Sequence, residues 1–415
     1  MLDAHSTPSQ RGAAVSDARQ AAGPHGVRAL LPGGRRGVPA GGAAAGARGR
    51  AALHVVQVLG SGGAGTGAHV RSLSAGLVAR GVRVTVCATP GAEQRFGFSA
   101  TAVRFVPVSA RSRLETVGTL RAVCRDADLV HAHGIRSGLL ASLALWRTGV
   151  PLVVTWHTRS TASGARERLR TLTERWVARA ASVVLGATTD LVDRARRQGA
   201  RDARLAPVVL PVQRRPRRGA HAEAEPLKLR ADVGAVDRPL LVASARLGHR
   251  QDREVLDGLL TAARAWRRLT PQPLLVLTGE GPERATLQRR IAREHLPVRL
   301  LGKRDDLHRL VAVADVVVFA ARWAARAPLA QEALRRGVPL VATAVGSVPQ
   351  LVGDAAVLVP YGDPGALGEA VADLVGDGER RAALAEAGRI RAGSWPTEDT
   401  TVAHVLSVYD ELARV

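Results

Sequence analysis

Short, near-continuous apolar runs, each followed by a stretch with helical spacing, constrain this chain more than any other feature. The runs are Leu53–Leu59, Val82–Val86, Val103–Val108, Asp128–His131, Pro151–Trp156, Ser182–Leu185 and Leu205–Leu210. Between them lie helical stretches such as Val70, Leu73, Leu77 and Val78, or Leu169–Ala180. A strand that is apolar on both faces belongs to a parallel sheet covered by helices on both sides, so the pattern predicts a doubly wound α/β fold. From Pro211 to Pro239 the pattern stops, and the chain carries Arg214-Arg215-Pro216-Arg217-Arg218 instead. It resumes at Leu240–Ala243, Leu274–Leu277, Val298–Leu301, Val316–Phe319, Pro339–Ala342 and Ala356–Val359. In Thr397–Val415, residues Val402, Val405, Leu406, Tyr409 and Leu412 share one helical face. The expectation is two Rossmann-like domains, 53–211 and 239–396, facing each other across a cleft. A linker at 212–238 would join them, and 397–415 would form a helix packing back toward the first domain. Ligands of such sheets bind outside the carboxyl ends of the strands.

The 415 residues hold enough apolar side chains for two such cores. No run approaches the ~18 uninterrupted apolar residues of a membrane helix. Residues 1–50 contain 12 Ala, 10 Gly, seven Arg and two acids. That composition cannot offset its ordering entropy, and it lacks the apolar core of a secretion signal, so 1–52 reads as a disordered basic extension. Cys87 and Cys124 have no motif spacing, which argues against a disulfide framework or a cysteine zinc site and makes a reduced, cytoplasmic protein the default.

A formal charge of +23 suggests nucleic acid at first sight. Yet only Lys228 and Lys303 are lysines, asparagine is absent and isoleucine occurs three times. Depletion of all residues with AT-rich codons points to a GC-rich genome as the source of the arginine. The arginines are also dispersed, and aromatics able to stack on bases make up 3%. No nucleic-acid partner is expected; peripheral contact with the anionic inner membrane face is the better use of the charge.

Four places could carry chemistry. Gly60-Ser61-Gly62-Gly63-Ala64-Gly65-Thr66-Gly67 is a strand-to-helix turn whose backbone N–H groups can approach a phosphate, although a tight turn needs the same residues. It is not a P-loop, and the acid of a dinucleotide fingerprint is missing at Val86, Cys87 and Ala88. Arg246, after the first strand of the second domain, could pair with a phosphate or be one more solvated arginine. Pro328 suits the first turn of a helix whose N-terminus attracts anions, with Glu332 one turn in. His133 and His157 follow strand ends and are candidates for acid–base or phosphate contacts, or for ordinary local hydrogen bonds. No spacing suggests a metal.

Taken in order, these segments resemble the family 4 glycosyltransferases of the GT-B fold, in an actinobacterial form. The segments are Gly62-Gly63 through Leu73, Asp128–Gly134, Val153–His157, Arg246-Leu247, Thr278–Pro282, Leu301–Arg304 and Gln331–Thr343. The resemblance implies sugar transfer from a UDP- or GDP-linked donor to an unknown lipid, glycan or small-molecule acceptor. Anomeric configuration would be retained, with neither cofactor nor metal. It implies that the first domain holds the acceptor and the second the nucleotide. Glu332 would bind the ribose, the backbone near Lys303 and Arg304 would frame the base, and Arg246, Leu329 at the helix N-terminus, Gly62 and Gly63 would hold the diphosphate. His157 would lie beside the donor sugar, with His157 and Arg246 as the catalytic pair. The chain departs from the family at Ala245 for glycine, Gln251 for lysine, Ala324 for glutamate, Arg326 for an aromatic and Gln350 for glutamate. A donor site so altered leaves two alternatives: a non-catalytic nucleotide- or partner-binding module, or a basic protein binding nucleic acid or membrane.

Overall fold

The computed structural model describes residues 52–60, 63–109, 111–159, 164–206, 224–248 and 252–413. Residues 1–51 of the basic extension, Gly62, Gln251 and the 212–223 part of the linker lie outside the described residues.

The first sheet has seven parallel strands in the order β3-β2-β1-β4-β5-β6-β7. They are β1 His54–Leu59, β2 Arg83–Ala88, β3 Arg104–Pro107, β4 Leu129–His133, β5 Leu152–Trp156, β6 Val183–Gly186 and β7 Ala203–Leu205. The second sheet has six parallel strands in the order β10-β9-β8-β11-β12-β13. They are β8 Leu240–Ser244, β9 Leu274–Thr278, β10 Val298–Gly302, β11 Val316–Phe319, β12 Leu340–Thr343 and β13 Val357–Val359. Both are doubly wound, as the apolar runs predict. Strand order reverses between β1 and β4 and between β8 and β11, and those two crevices are where ligands of such sheets bind.

The central strands are buried on both faces: Val55, Val56, Val58 and Leu59 of β1 and Leu240–Ala243 of β8 are all but inaccessible. Each such side chain contributes roughly 1.5–3 kcal/mol by leaving water. The helix Glu398–Ala413 lies on the first helix, Ala64–Val78, where a Cβ at Gly76 would come within 2.5 Å of Val402. Its Val402, Val405, Val408 and Tyr409 complete a core of the first sheet.

Three details differ from the sequence reading. The seventh strand precedes the run Leu205–Leu210 and only touches it at Leu205. Part of the segment read as linker is a helix, Ala224–Asp232, with Leu229, Val233 and Ala235 buried in the second domain; spaced so sparsely among polar residues, they gave no clear period. The helix Ala165–Ala180 covers the predicted 169–180 stretch, but it turns Glu174, Val177 and Ala178 inward and leaves Leu169, Leu172 and Trp176 outside. Burial of Glu174 is compensated by Arg194, 2.8 Å away.

Candidate active site

The carboxyl ends of the two sheets face each other and are joined by three contacts. Arg326, in the loop after β11, donates from Nη1 to the Gly65 carbonyl (2.9 Å) and from Nη2 to Thr66 Oγ1 (3.0 Å) at the start of the first helix. Trp323 Nε1 donates to Asp190 Oδ2 (3.2 Å), and Thr189 Oγ1 donates to Gln350 Oε1 (3.1 Å).

On the second domain's side, Arg246 leaves β8 with its side chain 77% exposed, 3.5 Å from Asp252. A guanidinium so placed is free to turn toward an anion. Lys303 is exposed, whereas Arg304 forms a two-point pair with Asp306 (2.7 and 2.5 Å) that holds the Asp306 carboxyl below the usual range. That leaves backbone rather than the Arg304 side chain to frame a base. Leu329 is buried in the first turn of the helix Pro328–Arg336, and Glu332 pairs with Arg336 one turn on. The helix N-cap, Ala327, adopts φ +39°, a left-handed conformation that costs a residue with a Cβ about 1 kcal/mol or more. Ser347 holds the preceding loop in place, its N–H donating to the Ala324 carbonyl (3.0 Å) and its hydroxyl to that of Ala325 (2.6 Å). The Thr278–Pro282 loop lies so close to β8 that a Cβ on Gly279 would stand 1.8 Å from the Ala245 carbonyl oxygen.

On the first domain's side, Gly63 caps the first helix with open space around it; the glycine that packing holds small is Gly67, inside that helix, whose Cβ would meet the Phe96 ring at 2.1 Å. Behind the turn stands a buried polar chain through β1, β4 and β5. His157 Nε2 is 3.2 Å from His133 Nδ1, and His133 Nε2 is 2.7 Å from Gln57 Oε1. Gln57 Nε2 donates to Tyr409 OH (2.9 Å), which is 2.6 Å from His131 Nδ1, and His131 Nε2 is 2.6 Å from Thr155 Oγ1.

With the Gln57 amide nitrogen directed at Tyr409, these contacts set the protons of His133, His157 and His131. Gln57 Oε1 can only accept, so His133 Nε2 carries hydrogen and, in a neutral ring, Nδ1 is bare. His157 Nε2 therefore donates to it, which leaves His157 Nδ1 as a lone pair. The Tyr409 hydroxyl accepts from Gln57 and so donates to His131 Nδ1, and His131 Nε2 donates to Thr155. Burial keeps the rings neutral: it pushes His69 and His131 down to about 3, and holds His133 and His157 well below the ordinary value. The nearby Arg326 cation pushes His69, His133 and His157 the same way, and burial pulls Arg326 itself down to about 10. His157 Nδ1 is buried with no partner among the described residues, an acceptor awaiting a hydroxyl.

The structure thus brings together His133 and His157, and places Gly63, Arg246, Lys303, Arg304, Leu329 and Glu332 along the facing strand ends. Sequence reasoning passed over His69, His131, Gln57 and Tyr409. The readable signals were a lone polar residue in an apolar strand, Gln57, and His131 two positions before His133, hence on the same face. Both cysteines are buried, and burial pushes each thiol up to about 12, so neither is a nucleophile. Among the described residues no group of three or more His, Cys, Asp or Glu side chains is placed to hold a metal ion, and no helix is long and apolar enough to cross a membrane.

Residues 64–211 match the glycosyl transferase 4-like domain, and residues 228–391 match the glycosyl transferases group 1. A D-inositol 3-phosphate glycosyltransferase of Salinispora arenicola is 32% identical over 329 residues, 71% of this chain and 72% of the relative. A GDP-mannose-dependent alpha-(1-6)-phosphatidylinositol monomannoside mannosyltransferase of Mycolicibacterium smegmatis is 31% identical over 196 residues, 43% of this chain and 50% of that one. Among solved structures, Anabaena HepE in complex with UDP superposes with a TM-score of 0.71 at 17% identity, covering 86% of this chain and all of that one.

Proposed function

The chain belongs to the group 1 glycosyltransferases, the family 4 enzymes of GT-B fold, and from that premise we propose what it transfers, and how. A sugar passes from a UDP- or GDP-linked donor, with retention and without a metal, to a phosphorylated polyol headgroup at an anionic membrane face. The observation that carries the donor half is the opposition of two half-sites across the cleft. One holds the exposed Arg246 and the N-terminus of the Pro328–Arg336 helix; the other holds the Gly63 turn and the neutral His157. Charge growing on a leaving diphosphate would be met by the guanidinium and the helix dipole, which need no reorganisation at that moment. The His157 lone pair would accept a hydrogen bond from a donor-sugar hydroxyl and fix the sugar's orientation. Glu332 would exchange Arg336 for the ribose hydroxyls.

For the acceptor, a cavity of about 60 Å³ beside Gly60, room for about two waters, has the hydroxyls of Thr89, Ser109, Thr116 and Ser137 and the Arg136 cation in a wall shared with Val58, Leu59, Val108 and Leu140, and would meet the phosphate end of a phosphorylated polyol. The membrane half rests on an outward stripe of the first domain. Leu169, Leu172, Trp176 and Trp146 are 43–68% exposed, and the two indoles stack at 5.9 Å. Exposed Arg147, Arg166, Arg168 and Arg175 flank them. Apolar and aromatic groups bordered by arginine suit the interface of an anionic bilayer, where indoles sit at headgroup level. Relatives named for inositol phosphate and phosphatidylinositol substrates are in keeping with both halves.

The test incubates the purified chain with UDP- and GDP-sugars and either inositol 3-phosphate or vesicles containing phosphatidylinositol. Transfer to the vesicle lipid, with the donor's anomeric configuration in the product and undiminished in EDTA, is expected. Nucleotide binding that Glu332→Gln weakens, without transfer to any acceptor, would assign the chain to the binding-module class instead. Sedimentation with phosphatidylglycerol vesicles should fall at least about tenfold in Leu169→Ser/Trp176→Ser; equal sedimentation of the variant would refute the membrane half.

A further inference from the structure

Arg326 precedes Pro328 by two residues, so it leaves the chain beside the helix N-terminus that faces the diphosphate. Its guanidinium ends on Gly65 and Thr66, in the first turn of the helix that follows Gly63. His69 lies one turn beyond Thr66, and its ring is 5.6 Å from that of His157 and 5.8 Å from that of His133. The cation therefore stands between the groups placed for the diphosphate and the lone pair placed for a sugar hydroxyl, which is where the donor sugar would lie.

Both acceptors of this half-buried guanidinium are neutral, a carbonyl and a hydroxyl. Among the described residues no carboxylate pairs with it, whereas the buried Glu174 has Arg194 and Glu332 has Arg336. Burial pulls Arg326 down to about 10 with no neighbouring charge to raise it, and the rings it acts on, His69, His133 and His157, are themselves neutral. Ala324 and Ala325 add only methyl groups beside it. A guanidinium carries five N–H groups, and the two bonds already made fix its plane, so the unused donors form a set edge of the kind that meets a carboxylate at two points. The diphosphate has its own cation in Arg246 and its own dipole in the Pro328–Arg336 helix. A neutral hexose would leave the charge of Arg326 uncompensated in a place largely withdrawn from water; a sugar bearing a carboxylate would supply the missing counter-charge. We propose that Arg326 selects the donor sugar and that the sugar transferred is a hexuronic acid, its carboxylate held by Arg326 while a ring hydroxyl donates to His157 Nδ1. This names the donor of the transfer proposed above and rests on that reading. The carboxylate takes no part in the exchange: the bond from the anomeric carbon to the diphosphate breaks, one to the acceptor oxygen forms, and the nucleoside diphosphate leaves with the bonding pair and takes up the acceptor's proton.

The experiment is calorimetric titration of the full chain at constant ionic strength. The ligands are UDP with its glucose, galactose, glucuronate and galacturonate conjugates, and GDP with its mannose and mannuronate conjugates. For the nucleotide that binds, a uronate is expected to bind about tenfold or more tighter than its neutral counterpart, the gain of one charge-assisted contact. That ratio should fall to about one in Arg326→Gln, survive in part in Arg326→Lys, and stay unchanged in Arg322→Gln, an exposed arginine of the same loop. Loss of the clamp to Gly65 and Thr66 affects both sugars alike, so the ratio isolates the carboxylate contact, and undiminished binding of the bare nucleotide shows that Arg326→Gln is folded. A ratio of one or less in the wild type, or a ratio that Arg326→Gln leaves unchanged, would overturn the proposal while the donor reading stands. Equal weakening of the bare nucleotide in Arg326→Gln would make Arg326 a diphosphate ligand and overturn it as well. Binding of neither nucleotide would refute the donor reading itself, and this inference with it.

Discussion

Removing one oxygen, in Tyr409→Phe, tests whether the buried chain sets the state of His157. The Tyr409 hydroxyl is fully buried, accepts from Gln57 Nε2 at 2.9 Å and donates to His131 Nδ1 at 2.6 Å. Phenylalanine keeps the ring and leaves both partners unpaired, at about 1–3 kcal/mol for each orphaned group. With roughly 2.1 cal/mol/K per residue of unfolding entropy, a chain of this size should melt about 3–8 °C lower. The chemical consequence is separate from that loss. Without the hydroxyl, nothing holds the Gln57 amide nitrogen toward the helix Glu398–Ala413. A flipped amide would donate to His133 Nε2, move its proton to Nδ1, and force His157 to carry hydrogen on Nδ1 in place of the buried lone pair. The assay is nitrogen NMR of histidine-labelled protein, which distinguishes protonated from bare ring nitrogens without any substrate. The wild type should show His157 bare at Nδ1; the variant should show a mixture or the other tautomer. If Tyr409→Phe lowers the melting temperature and leaves the His157 pattern unchanged, the chain is structural support and the tautomer is set elsewhere.

Acid should destabilise this protein earlier than carboxylate titration would. His69 and His131 are held near 3 when folded against about 6.5 unfolded, so the unfolded chain binds more protons below pH 6.5 and stability falls as pH drops through that window toward 3. At pH 5 the two together should remove about 4 kcal/mol relative to pH 8; denaturant melts at both values that differ by less than 1 kcal/mol would show the rings are not buried neutral. Gly281→Ala places a Cβ 2.3 Å from the Leu247 backbone, where nothing flexible can yield, and should cost about 1–3 kcal/mol and lower Arg246-dependent nucleotide binding; a variant as stable as wild type would mean that loop is not seated on β8.

Much of the fold was legible because parallel strands announce themselves. A run such as Leu240–Ala243 of β8 has no polar face to confuse with a helix, and Pro328 and Gly337 bracket their helix by backbone preference alone. The helix Ala224–Asp232 was not legible, since Leu229 and Val233 are apolar points in a polar segment and only the second core gives them a face. The outward stripe was hidden for the opposite reason. Leu169, Leu172 and Trp176 have the spacing of a core-facing helix, and spacing does not say which side the core is on. Strand-end residues such as His157 and Arg246 could be found by position. Their partners could not, because Gln57, His131 and Tyr409 meet only after β1 pairs with β4 and the last helix docks 352 residues away from Gln57.

The residues of the loop after β11 at which the chain departs from the resemblance form a connected set. Arg326 reaches across the cleft to Gly65 and Thr66, and Gln350 and Trp323 add two further bridges. Ala324 contributes no side chain to a sugar, but its carbonyl anchors Ser347. In this chain the loop latches the domains. Such a latch opposes opening and so works against donor entry, by an amount set by hydrogen bonds from a cation to neutral acceptors, each worth about 1.5–3 kcal/mol. A donor must supply more than that in the closed cleft for turnover to proceed, and the Arg246 guanidinium and the Pro328–Arg336 helix dipole are the groups placed to repay it. Arg326→Ala therefore separates two effects: nucleotide should bind faster as the latch is lost, while the ordered closed state that positions His157 is less populated. Faster association with lower turnover is the signature of a latch; unchanged association would mean the cleft does not open about this contact.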